Sequence, residues 1–254
     1  MFTSLPSPVL IAHRGASAHA PENTLAAFNL AVSQGAPAIE LDVQLTADDS
    51  VVVFHDRTLS RTTDGYGKIR QHSLSQLKKL HAGAAFGSAY PIARIPTLEE
   101  VFNDLDPDVY LNIELKNINS PFDTLPERTA NLLSKYHAEK RVLISSFNPI
   151  ALARMAHLCP MIPRGILLHK PSWVDFYLSV PRLLMRYQTI NISFSCVTKF
   201  RVNSLHKKGK KVFVYTLNHP EDIQFALGCG VDGFFTDDPA LGLRTLSGSG
   251  YNYE

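Results

Sequence analysis

Two short segments carry charged side chains at alternate positions: Glu40-Leu41-Asp42, and Glu114-Leu115-Lys116. In an extended strand, residues i and i+2 share a side. Glu40 and Asp42 then point one way, as do Glu114 and Lys116, while Ile39, Leu41, Ile113 and Leu115 point the other way, toward packing helices. A single charged group at such a place is as readily a satisfied structural residue. Three carboxylates that converge are different, because they repel, each suffers desolvation, and some must take up protons. A divalent cation removes the conflict, and an all-oxygen donor set favours Mg²⁺, Ca²⁺ or Mn²⁺ over Zn²⁺.

Charge balance says what such a site would accept. A divalent metal with Arg14 and Lys116 outweighs the three carboxylates by one positive charge, which a single phosphodiester anion would cancel. Without the metal the same groups are net negative and would repel that anion. The planar fork of Arg14 suits a phosphate because it can donate two hydrogen bonds at once. Proton transfer needs further groups. His13 lies beside Arg14, and His55 lies in the Phe54-His55-Asp56 corner after an apolar run. Histidine is matched to acid and base work near neutral pH. The chain has 10 histidines, and His72, His81, His137, His157 and His206 read as ordinary surface or core residues.

These groups need strand ends to hold them. Eight short apolar segments supply the strands, at Val9–His13, Ala38–Gln44, Tyr110–Lys116, Arg141–Phe147, Arg164–His169, Thr189–Phe194, Lys211–Thr216 and Val231–Thr236. Most are followed by a helical pattern: Asn23–Gln34 (with Glu22 and Asn23 as cap residues), Thr124–Tyr136, Pro149–His157, Val197–Lys208 and Pro220–Gly228. Strands alternating with helices predict a parallel sheet, and eight such units predict a closed (β/α)₈ barrel, an α/β fold of the TIM type. One domain spanning residues 1–254 follows, with an insertion at 51–96 after the second strand. That insertion has a strand-like run at Val51–His55, a turn at Asp64-Gly65-Tyr66-Gly67, a short helix near Ser75–Leu80 and a Gly-rich piece at Gly83–Gly87. It belongs on the C-terminal rim, where barrel enzymes place their chemistry.

Composition narrows the class further. Hydrophobic residues are 45% of the chain and charged residues 19%, which suits a globular protein with a sizeable core. A net charge of +2 without a long basic run argues against nucleic acid as a partner. The cluster Lys207, Lys208, Lys210 and Lys211 reads as a solvated turn. Charged residues and Pro181 interrupt the apolar stretch Trp173–Tyr187, so no stable membrane insertion is expected. The N-terminus lacks the pattern of a signal peptide. Cys159, Cys196 and Cys229 are odd in number and scattered, as expected of free thiols in a reducing compartment, which points to the cytoplasm.

Taken together the segments resemble the glycerophosphodiester phosphodiesterase family over nearly the whole chain. The resemblance rests on Ala12-His13-Arg14-Gly15, Pro21-Glu22-Asn23-Thr24, Glu40-Leu41-Asp42-Val43, Val53-Phe54-His55-Asp56, Thr62-Thr63-Asp64-Gly65, Ile95-Pro96-Thr97-Leu98-Glu99-Glu100, Asn112-Ile113-Glu114-Leu115-Lys116, Tyr215-Thr216-Leu217-Asn218 and Asp232-Gly233-Phe234-Phe235-Thr236-Asp237. Each motif is weak alone, whereas their joint order and spacing are specific. The resemblance implies His13 and His55 as an acid/base pair and Glu40, Asp42 and Glu114 as ligands of one divalent cation. It places Arg14 and Lys116 at the phosphate. Tyr215 stands where the family often has Trp, which keeps an aromatic wall for the substrate. The implied reaction is hydrolysis of a small glycerophosphodiester, such as glycerophosphocholine or glycerophosphoethanolamine, to glycerol 3-phosphate and an alcohol. The rivals are a phospholipase-D-like barrel acting on lysolipids, with Trp173–Leu184 at the lipid chain, and a silent barrel that only binds phosphodiesters. The preferred alcohol and the oligomeric state stay open at this level.

Overall fold

The apolar runs pair in parallel and close into a ring. The computed structural model describes residues 5–84, 86, 90, 93–179 and 187–251. Its strands are β1 (Val9–His13), β2 (Ala38–Leu45), β3 (Val51–Val53), β4 (Tyr110–Leu115), β5 (Val142–Ser146), β6 (Arg164–Leu168), β7 (Thr189–Ser193), β8 (Lys211–Tyr215) and β9 (Gly233–Thr236). The ring runs β1-β9-β8-β7-β6-β5-β4-β2, and β2 pairs with β1 to close it. These eight parallel strands are the expected ones, with ends shifted by one or two residues. The ninth, β3, pairs antiparallel with β2 at Val43↔Val53. Because Val43 also pairs with Leu115 of β4, β3 takes the other edge of β2, beyond the last pairing with β1.

Helices follow the strands: α1 (Leu25–Ser33), α2 (Leu74–Leu77), α3 (Leu98–Asp104), α4 (Leu125–Lys135), α5 (Pro149–Leu158), α6 (Pro171–Ser179), α7 (Lys199–Lys207), α8 (Pro220–Gly228) and α9 (Pro239–Gly248). Proline opens α5, α8 and α9, where its missing N–H costs nothing. Thr97 and Glu100 form a capping box on α3. The start of α1 corrects one expectation. Thr24 is the cap, and its hydroxyl accepts from the Ala27 N–H at 3.3 Å. Glu22 and Asn23 are instead committed to distant partners at the barrel mouth.

Alternation decides which side chains enter the barrel. Leu41, Ile39, Ile113 and Leu115 join the large apolar layer between sheet and helices. Val9, Ile11, Ala38, Leu143, Phe213 and Phe235 pack together inside the barrel. His13 shares its side with Val9 and Ile11, and Glu40 and Asp42 share theirs with Ala38. The charged groups therefore continue the interior stack at the strands' C-terminal ends.

The excursion after β2 has an apolar core of its own, formed by Val52, Phe54, Leu59, Ile69, Leu77, Ala82 and Ile95. This core lets a loop-rich segment hold a fixed shape. The Gly83–Gly87 piece lies partly outside the described residues, as does the stretch from 180 to 186 within Trp173–Tyr187. Before that point α6 buries Val174 and leaves Trp173 and Phe176 exposed. No helix among the described residues is long and apolar enough to cross a membrane. Cys159, Cys196 and Cys229 are free thiols.

Candidate active site

Strand register brings the acidic residues together. His13 pairs with Glu40 across β1 and β2, and Asp42 with Glu114 across β2 and β4. Glu40, Asp42 and Glu114 are buried and offer oxygen atoms that all lie within 4.8 Å of one another. The turn after β1 wraps them. Arg14 has φ 57°, a left-handed conformation, and its backbone N–H donates to Glu40 Oε2 at 2.9 Å. Gly15 follows at φ 84°, where a Cβ would meet the Ala27 carbonyl carbon at 2.6 Å, so only glycine lets α1 approach this closely. Asn23 straddles Asp42: its Nδ2 donates to Asp42 Oδ2 at 2.9 Å, and its Oδ1 accepts from the Asp42 N–H at 3.1 Å.

The cations sit on the edges of this cluster. Lys116 Nζ lies 2.9 Å from Glu114 Oε1 and 3.6 Å from Asp42 Oδ1. Arg14 Nε lies 3.3 Å from Asp42 Oδ2, and its Nη1 donates to Glu22 Oε1 at 2.8 Å. Burial, reinforced by the charges of Asp42 and Glu114, pushes the Glu40 carboxyl well above the usual carboxylate range. Burial also raises Glu114, with Lys116 opposing and Asp42 adding to the rise. Asp42 goes the other way: its burial is overcome by the charges of Lys116, Arg14 and His55. The bare cluster thus divides its protons unevenly, as closely packed carboxylates must. Asp42 Oδ1 is buried without any hydrogen-bond donor. An orphaned carboxylate oxygen beside two other acidic groups fits a divalent cation held by oxygen ligands.

Both histidines face carboxylates through Nδ1. His13 Nδ1 is 2.7 Å from Asp237 Oδ1, and His55 Nδ1 is 2.6 Å from Asp56 Oδ1. Asp237 also accepts from Ser17 Oγ at 3.0 Å and Asn218 Nδ2 at 2.6 Å. Burial works against its charge, but the hydrogen bond and charge of His13 prevail and hold its carboxyl at about 2. Asp56 is gripped by Arg61, and Arg61 donates to both oxygens of Glu22 at 2.7 Å. A polar chain therefore runs His55–Asp56–Arg61–Glu22–Arg14. Gln44 pins the corner by donating from Nε2 to the carbonyls of Phe54, His55 and Asp56 at 2.8, 3.0 and 2.7 Å. These bonds hold the His55 corner against β2, where the charge of His55 reaches Asp42 and Glu114.

Tyr215 ends β8 with its hydroxyl buried and without a hydrogen-bond partner. Burial, with the negative charge of Glu114 behind it, raises that hydroxyl far above its ordinary value. Its ring meets Phe147 and Phe235 edge-on at 6.2 and 6.4 Å. Lys116 Nζ stands 5.8 Å above Phe147, so an aromatic wall borders the cation. A cavity of ≈ 320 Å³ is lined by Arg14, Ser17, Glu22, Asn218 and Asp237 among others.

All eight residues expected at the site stand at this one mouth. Sequence reasoning gave no role to Asp237, Asn218, Ser17, Asp56 or Arg61. The register Ala12↔Thr236 sets the residue after β9 beside His13, so closure of the ring was the available signal for Asp237.

Two histidines, three carboxylates and two cations gathered at one barrel mouth are the groups a barrel hydrolase would need, and comparison with known proteins narrows the class. The profile of the Glycerophosphoryl diester phosphodiesterase family matches residues 13–241. The chain is 38% identical over 232 residues to the glycerophosphodiester phosphodiesterase of Caldanaerobacter subterraneus subsp. tengcongensis, covering 91% of this chain and 94% of that one. Among solved structures it is similar to an Oleispira antarctica phosphodiesterase in complex with the product sn-glycerol-3-phosphate. That match has TM-score 0.87 and 34% identity, and covers 95% of this chain and 97% of the other. A glycerophosphodiester phosphodiesterase from Thermotoga maritima aligns at TM-score 0.74 and 30% identity, over 93% and 97% of the two chains. The chain belongs to the Glycerophosphoryl diester phosphodiesterase family.

Proposed function

We propose that this chain hydrolyses glycerophosphodiesters to glycerol 3-phosphate and an alcohol. The observation that carries the reading is the pairing of each candidate proton carrier with its own carboxylate, His13 with Asp237 and His55 with Asp56, at the mouth that also holds the acidic cluster. A carboxylate on Nδ1 fixes the tautomer and orientation of the ring, leaving Nε2 for the substrate. One histidine takes the proton of the attacking oxygen, and the other gives a proton to the departing alcohol. Arg14 and Lys116 hold the phosphate oxygens, and Tyr215 with Phe147 walls the organic part. Bound by Glu40, Asp42 and Glu114, a divalent cation (Mg²⁺, Ca²⁺ or Mn²⁺) would neutralise charge developing on the phosphate.

Residues 1–254 act in this reading as one barrel domain, and residues 51–96 as the insertion that delivers His55. Buried Cys196 and Cys229, free like Cys159, suit a reducing compartment, and we place the enzyme in the cytoplasm. The reading is tested by incubating purified protein and Mg²⁺ with glycerophosphocholine, glycerophosphoethanolamine and lysophosphatidylcholine. Glycerol 3-phosphate from the first two is expected. Turnover of the lysolipid alone would move the activity to the lipid class, and no turnover of any would make the barrel a binding protein.

A further inference from the structure

The insertion carries more positive charge than the phosphate-holding residues need. Arg57, Lys68 and Arg70 line a cavity of ≈ 120 Å³ together with Gln44, Lys116 and Asn117. The local fold sets these cations side by side. Thr58 and Lys68 form an antiparallel bridge, and the Ile69 N–H donates to the Arg57 carbonyl at 3.0 Å. Arg70 is anchored by Thr46 O and Asp49 Oδ1, each at 2.8 Å. Arg57 and Lys68 have no ion-pair partner among the described residues. The one acidic group in the lining, Asp123, accepts through Oδ1 from Asn117 Nδ2 at 2.9 Å and the Leu125 N–H at 3.2 Å, and its single negative charge stands against the four cations Arg57, Lys68, Arg70 and Lys116.

The cavity is also joined to the catalytic mouth. Lys116, which pairs with Glu114, is in its wall. So is Gln44, on the same side of β2 as Asp42 and bonded to the His55 carbonyl. Arg57 follows His55 by two positions. Like charges crowded around a small cavity repel one another until an anion enters. The volume suits one carboxylate or phosphate group rather than a sugar ring.

We propose that this cavity is an anion subsite, taking a carboxylate or phosphate group either on the leaving alcohol of the substrate or as a free ion. The substrate arm rests on the hydrolase reading, whereas the free-ion arm does not. Glycerophosphoserine and glycerophosphoethanolamine differ by one carboxylate and make a matched pair. Wild type should show kcat/KM roughly tenfold higher for the serine ester, the worth of one charge-assisted contact. In the double variant Arg57→Gln/Lys68→Gln that preference should vanish with turnover of the ethanolamine ester unchanged. Calorimetry with inorganic phosphate, on chelator-treated protein, is the second arm. Phosphate binding weakened about tenfold in the double variant supports the subsite. If that occurs without any preference for the serine ester, the occupant is the free ion. Equal phosphate affinity in both proteins, with the same ratio of serine to ethanolamine turnover or with no turnover of either ester, overturns the subsite. No turnover of either ester refutes the hydrolase reading alone if phosphate binding still differs.

Discussion

The imidazole of His13 and the carboxylate of Asp237 meet at 2.7 Å across the seam where the last strand of the barrel closes on the first. They are 224 positions apart in the chain, so the contact exists only in the closed barrel. A depressed carboxyl has a signed consequence for stability. Folding holds Asp237 at about 2, below an unfolded value of about 3.9. Its stabilisation is therefore complete above the unfolded value and is lost as pH falls toward the folded one. Asp237→Asn should be less stable than wild type at neutral pH, with the difference shrinking between about pH 5 and about pH 2. Urea unfolding of both proteins across that range measures it; a gap independent of pH would contradict the assigned charge.

The two histidines should fail in the same way. His13→Ala and His55→Ala should each lower kcat by on the order of a hundredfold or more. KM should move much less, because Arg14 and Lys116 remain. The wild-type rate should trace a bell against pH, and each variant should lose one limb. Near-normal turnover in His55→Ala would end the two-histidine mechanism.

Much of this site was legible because strand alternation is a local rule. Glu40 and Asp42 share a side by their spacing alone, and Glu114 joins them once β4 lies next to β2. The strands were legible as short apolar runs, since a barrel strand is buried on both faces. Glu22 and Asn23 were misread as helix caps for an equally physical reason. Their residue types suit a cap, but Glu22 binds Arg61, 39 positions away, and Asn23 binds Asp42. The first partner depends on how the excursion folds back and the second on how the turn after β1 meets β2, and no local pattern encodes either.

Gly15→Ala tests the turn that presents Arg14. The new methyl would press on the Ala27 carbonyl from a backbone at φ 84°. A loss of about 1–3 kcal/mol in unfolding free energy is expected. An unchanged midpoint in thermal unfolding would show that the turn can relax.

The proposed cytoplasmic placement implies reduced cysteines. Thiol titration of the unfolded chain should count all 3 cysteines. A count of one would reveal a bridge.

Glu40, Asp42 and Glu114 should hold a cation on which hydrolysis depends. The most direct test is glycerol 3-phosphate release from glycerophosphocholine by chelator-treated protein, before and after Mg²⁺, Ca²⁺ or Mn²⁺ is returned, with metal content followed by elemental analysis. Release should stop on stripping and return with at least one of the three ions, and Asp42→Ala should stay folded yet recover neither metal nor activity. Full release from protein shown to be metal-free would mean that these carboxylates serve hydrolysis without a cation.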